Sequence, residues 1–147
     1  MPAVVDHDQR RRLVAEVAAR LVAQGGAEAA TVRAVAEAAG YSTKVVSYYF
    51  ADKRALLLMT YRHAADHSSV VAEASQTEGA PDAGAYILSL LPTTDGLRQD
   101  WMVWFAFWGM AITDPEFAAE QRLRVRRARE RIAELLGVDL RLSLIHI

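Results

Sequence analysis

Between Thr31 and Phe50 the chain places two short helix-forming segments, TVRAVAEAA and TKVVSYY, around a single glycine, Gly40. Thr31 can cap the amides that open the first segment, and Val32, Val35, Ala36 and Ala39 share one of its faces. Ser42 or Thr43 can cap the second, whose inward side is Val45, Val46 and one of the adjacent tyrosines Tyr48 and Tyr49. Upstream, Leu13, Val17 and Leu21, with Val14, Ala18 and Val22, repeat at four-residue spacing and predict an amphipathic helix that QGGAEAAT ends. Downstream, Asp52 predicts the cap of a fourth helix from Lys53 to about Ala74.

Three short helices, the last two joined by a tight glycine turn, have the shape of a helix-turn-helix. If Val45, Val46 and Tyr49 or Phe50 anchor the third helix, then Ser42, Thr43, Lys44, Ser47 and Tyr48 point outward. That set of hydroxyls and one cation suits phosphates and base edges. An ordinary three-helix cap with solvated polar tips accounts for the same spacing, and the pattern alone leaves both open.

Composition narrows the class. The 147 residues, 52% hydrophobic and 24% charged, fit one globular unit or a small module with part of another, and disfavour disorder. With no cysteine, neither a disulfide framework nor a thiolate metal site is available. The opening MPAVVDHDQRRRL does not read as an export signal, and the apolar run from Trp101 to Ile112 is too short to cross a bilayer. The expectation is a soluble, cytoplasmic protein with no membrane partner. Net charge is -1, yet residues 1–66 hold nine Lys and Arg against seven Asp and Glu, so the basic end lies with the short helices.

The run TVRAVAEAAGYSTKVVSYYFADKRALL resembles the amino-terminal DNA-binding domain of the TetR family of transcriptional regulators over roughly residues 10–60. The resemblance implies phosphate contacts by Thr31 and Ser42, base or phosphate contacts by Thr43, Lys44 and Ser47, and a phosphate held by Lys53. Tyr48 and Tyr49 would divide between phosphate contact and helix anchoring. Two positions depart from the family pattern: Lys44 stands where relatives often carry a small residue, and Ser47 where many carry tyrosine.

In the second half, a short helix is expected from Ala83 to Leu91, stopped by Pro92. In LRQDWMVWFAFWGMAIT, Trp101, Trp104, Phe105, Trp108 and Ile112 fall on one helical face, while Met102, Val103, Phe107 and Met110 make the opposite face apolar too. A helix apolar all round is expected to be enclosed by others. Its aromatics serve either as core or as the frame of a ligand pocket, with Trp101, Trp104, Phe105 and Trp108 the candidate lining. This segment together with DPEFAAEQRLRVRRARERIAELL resembles the carboxy-terminal domain of regulators of the choline-responsive BetI type. Asp114 and Pro115 open a last helix and Gly137 closes it. Its arginines, from Arg122 to Arg131, alternate with Glu120, Glu130 and Glu134 and read as a solvated or interdomain face.

His63, Asp66 and His67 lie within one turn, but no third ligand of matching position is evident, so neither a metal nor a cofactor is expected. No cysteine nucleophile, glycine-rich phosphate loop or metalloprotease pair marks an enzyme, and the order of the serines and histidines implies no catalytic arrangement. The last six residues, LSLIHI, resemble the translated end of a transposase-based sequencing adapter. The expectation is therefore a chain cut short of its dimerisation helices, with a non-native tail at 142–147.

The resulting expectation is an all-α regulator, most simply a repressor released from its operator by a small molecule. A helix-turn-helix head would span 8–53 and a partial helical ligand-binding and dimerisation domain 54–141. Its partners would be double-stranded operator DNA, an unidentified effector and a second copy of the complete protein, with pairing impaired in this chain. The competing reading is a small helical interaction protein without specific DNA binding.

Overall fold

The computed structural model describes residues 7–76 and 81–138, and every regular element among them is helical. The expected tail at 142–147 lies outside the described residues. In order the elements are α1 (His7–Gly25), a single 3-10 turn (Ala27–Ala29), α2 (Val32–Ala39), α3 (Thr43–Tyr49), α4 (Lys53–Ala74), α5 (Ala83–Ser89), α6 (Asp95–Ala111) and α7 (Pro115–Leu136).

Local chemistry sets most of these boundaries. Side chains of Thr31, Ser42, Asp52 and Asp114 each accept a backbone N–H of the helix they open, and Asp82 and Thr94 do the same for α5 and α6. Gly40 ends α2 with φ 70°, a left-handed conformation that lets the Tyr41 N–H return to the Ala36 carbonyl at 2.9 Å. Gly137 closes α7 in the same way, with φ 64°. Capping turns two segments of fewer than ten residues into helices, although helices so short are marginal in water without tertiary support.

That support is one continuous core. α1 packs on α2, α4 and α6, while α6 also packs on α4 and α7. Val14, Val17, Ala18, Val22, Val35, Val46, Phe50 and Leu56 join Tyr61, Val103, Phe107 and Phe117 in a single buried cluster. Tyr61 and Phe107 stack with ring centroids 3.7 Å apart, and Phe107 stacks on Phe117 at 4.7 Å. A smaller cluster of Ala72, Ala83, Tyr86 and Leu135 closes the far end.

Three local expectations are corrected. Leu13 is exposed, because the buried stripe of α1 is Val14, Ala15, Val17, Ala18, Ala19 and Val22, whose alanines admit close neighbours and leave Leu13 at the margin. α5 ends at Ser89 rather than Leu91: Leu90 and Leu91 turn in three-residue hydrogen bonds towards Pro92, which disfavours a helical conformation in the residue before it. α6 is not enclosed on all sides. Leu97, Val103, Phe107 and Ala111 are buried, whereas Met102, Phe105 and Ile112 are exposed on the face turned away from α1, α4 and α7.

Candidate functional site

Two regions gather the residues singled out from the sequence. In the first, Val46 and Phe50 are fully buried and fasten α3 to the core. Ser42, Thr43, Lys44, Ser47 and Tyr48 are all exposed, Tyr48 to 75%. The Ser42 hydroxyl oxygen accepts from the Val45 N–H at 3.3 Å, and that of Thr31 accepts from the Ala34 N–H at 3.1 Å. Each hydroxyl thus caps its helix with a lone pair and keeps its proton available to donate.

Tyr49 turns differently from its neighbour. It is half-buried, and its hydroxyl lies 3.0 Å from Nδ1 of His7, while its ring meets Tyr48 edge-on at 5.2 Å. His7 was not indicated by the sequence pattern, since its partner lies 42 residues away. Lys53 opens α4 and donates to Glu28 at 2.7 Å. Glu28 is 92% exposed, so this surface pair is weak and exchangeable for another anion. The guanidinium groups of Arg10 and Arg11 lie over the rings of Tyr41 and Phe50, at 6.0 and 5.8 Å from their centroids.

The second region is a cavity of about 370 Å³ between α4, α5, α6 and α7. Tyr61, Ala65, Ser68, Ser69 and Glu73 face it from α4, and Tyr86 from α5. Trp104 and Trp108 supply the α6 wall, and Arg124, Val125, Arg127, Ala128 and Arg131 the α7 wall. Of the expected aromatic set, Trp104 and Trp108 line the cavity. Trp101 instead donates its indole N–H to the Leu90 carbonyl at 2.8 Å, and Phe105 lies outside, edge-on to Trp108 at 5.9 Å.

Ion pairs cross from α4 to α7 at four places, and of their members only Glu73, Arg124 and Arg131 line the cavity. Arg54 grips Asp114 through two hydrogen bonds of 2.7 and 2.6 Å, holding its carboxyl at about 2, well below the usual carboxylate range. Arg62 reaches Glu120 at 2.8 Å, Asp66 accepts from Arg124 at 2.6 Å, and Arg131 pairs with both oxygens of Glu73 at 2.8 and 2.7 Å. Burial pushes the Glu120 carboxyl up, but hydrogen bonds from Arg62 and Arg124 outweigh that penalty and leave it lowered overall. Arg131 lowers the carboxyl of Glu73, and burial raises the hydroxyls of Tyr61 and Tyr86. The arginines of α7 therefore split: Arg124 and Arg131 are paired, while Arg122, Arg126, Arg127 and Arg129 are exposed.

His63, Asp66 and His67 border one surface cavity with Met59 and Val70, but two of the three are engaged elsewhere. Asp66 is committed to Arg124, and Nδ1 of His67 lies 2.6 Å from the buried Asp100, which also accepts the Ser68 hydroxyl at 2.6 Å. Among the described residues no group of three or more His, Asp or Glu side chains could hold a metal ion, and no helix is long and apolar enough to cross a membrane.

Residues 14–59 match the family model for bacterial regulatory proteins of the tetR family, and residues 82–141 that for the carboxy-terminal domain of BetI-type transcriptional repressors. The HTH-type transcriptional regulator BetI of Burkholderia lata is 29% identical over 134 residues, covering 86% of this chain and 68% of the relative. PksA of Bacillus subtilis, also an HTH-type transcriptional regulator, is 27% identical over 110 residues, covering 73% of this chain and 54% of that protein. Among solved structures, a transcriptional regulator from Rhodococcus sp. Rha1 superposes with a TM-score of 0.78 at 26% identity, covering 86% of this chain and 68% of that one. A regulator from Saccharomonospora viridis in complex with choline gives 0.78 at 25% identity, covering 88% and 69%.

Proposed function

Because this chain belongs to the TetR family of bacterial regulatory proteins, we propose that it is a DNA-binding transcriptional regulator, in the manner of a repressor, whose helical half senses a small molecule. It works by binding rather than turnover, in the cytoplasm, as a homodimer whose two heads read successive grooves. The observation that carries the reading is the division of α3: Val46 and Phe50 are buried, while every hydroxyl and the one lysine from Ser42 to Tyr48 are exposed.

On this reading Thr43, Lys44 and Ser47 meet base edges or nearby phosphates. Thr31 and Ser42 donate their hydroxyl protons to phosphate, Lys53 exchanges Glu28 for phosphate, and Tyr48 packs on the backbone. Tyr49 braces α3 through His7. The head would span 8–53 and the sensing part 54–141. Choline in the Saccharomonospora viridis structure supports reading the cavity of this chain as an effector site. Effector entry would then bias α4, which opens beside the head at Lys53 and lines the cavity from Tyr61 to Glu73.

The test is binding to the DNA upstream of the protein's own gene, over a salt series with random DNA as competitor. Lys44→Ala and Tyr48→Ala are expected to weaken specific binding about tenfold or more without altering the melting temperature, and Lys44→Ala to flatten the salt dependence by about one charge. Equal binding to random DNA would return the chain to the helical interaction-protein reading.

A further inference from the structure

We infer that the cavity takes an organic acid, a one-ring or short alkyl body carrying a carboxylate, and not a simple cation; the inference rests on reading the cavity as the effector site. Aromatic walls alone do not choose between the two, since Tyr61, Trp104 and Trp108 present faces suited to a cation and apolar area suited to any ring. The charges choose. Glu73 is the one carboxylate among the lining residues, and both of its oxygens are taken by Arg131, whose remaining terminal nitrogen reaches Glu134 at 3.3 Å. The charge of that carboxylate is already matched, so the lining offers no unpaired anion to an ammonium group.

The cationic side of the lining has capacity to spare. Arg124 spends Nε on Glu120 at 3.0 Å and Nη1 on Asp66 at 2.6 Å, with Nη2 uncommitted among the described residues. Arg127 makes no ion pair among them. A carboxylate entering here gains charge-assisted hydrogen bonds from Arg127 and from Nη2 of Arg124, whereas a cation would lose its water beside the unpaired charge of Arg127. The volume, about 370 Å³, lies at the small end of ligand pockets and accommodates a single ring.

Three probes of equal body and different head decide the matter: phenylacetate, 2-phenylethanol and 2-phenylethylamine, with choline chloride as a fourth. Binding to the full chain is followed by calorimetry and by tryptophan fluorescence, since all three tryptophans lie on α6. Phenylacetate is expected to bind about tenfold or more tighter than the alcohol and the amine. Arg127→Gln is expected to remove that advantage and Arg127→Lys to keep part of it, with affinity for the alcohol unchanged in both. Arg127 is exposed, so both variants should retain the wild-type circular dichroism spectrum. Tighter binding of the amine or of choline overturns the organic-acid inference and leaves the effector site standing. No binding of any of the four overturns both.

Discussion

Asp114 carries two tasks on one carboxylate: it caps α7 through the N–H groups of Glu116 and Phe117, and it receives Arg54 from α4. Its depressed pKa, about 2, fixes the sign of a pH effect. A carboxyl held below its unfolded value contributes stability that is fully present above that value and lost as pH falls through the folded one. The melting temperature should therefore fall more steeply between about pH 4 and pH 2 in the wild type than in Arg54→Ala, as thermal melts across that window would show. At Thr31 and Ser42 the argument is simpler, because alanine removes the acceptor and leaves a helix N–H unpaired. Each substitution should cost about 1 kcal/mol in urea denaturation.

Elements differ in how much of them could be read from sequence. The bounds of α2, α3, α4 and α7 were legible because their caps are local: Thr31, Ser42, Asp52 and Asp114 lie next to the amides they satisfy, and Gly40 and Gly137 next to the carbonyls to which their N–H groups donate. The outward set on α3 was legible for a similar reason, since a seven-residue helix with two anchors leaves little choice of face. The buried face of α6 was not, because both faces are apolar and only the placement of α1, α4 and α7 selects Val103 and Phe107 over Phe105. Nor was the tie between His7 and Tyr49, or the sequence of ion pairs from α4 to α7, whose partners lie about 60 residues apart. Phe107 is the residue on which that selection rests, stacked between Tyr61 and Phe117. Phe107→Ala should lower stability by about 3–5 kcal/mol, whereas Phe105→Ala on the exposed face should cost well under half of that in the same denaturation series.

At the scale of the whole molecule, the buried cluster runs without a break from Val14 on α1 to Phe117 on α7, so the head has no core of its own. A fragment of residues 7–53 should show weak, non-cooperative helicity by circular dichroism, while the full chain should melt in a single transition. A cooperative fragment would mean that α1 to α3 fold without α4 and α6. The same continuity gives the cavity a physical route to the head, because Tyr61 lines the cavity and also belongs to the core shared with Val46 and Phe50. Yet α3 commits only Val46 and Phe50 fully to that core, and its exposed residues bear little of the weight of folding. On the proposed reading, selection can rewrite Thr43, Lys44, Ser47 and Tyr48 one at a time, moving the protein to new promoters while its sensing machinery is inherited unchanged.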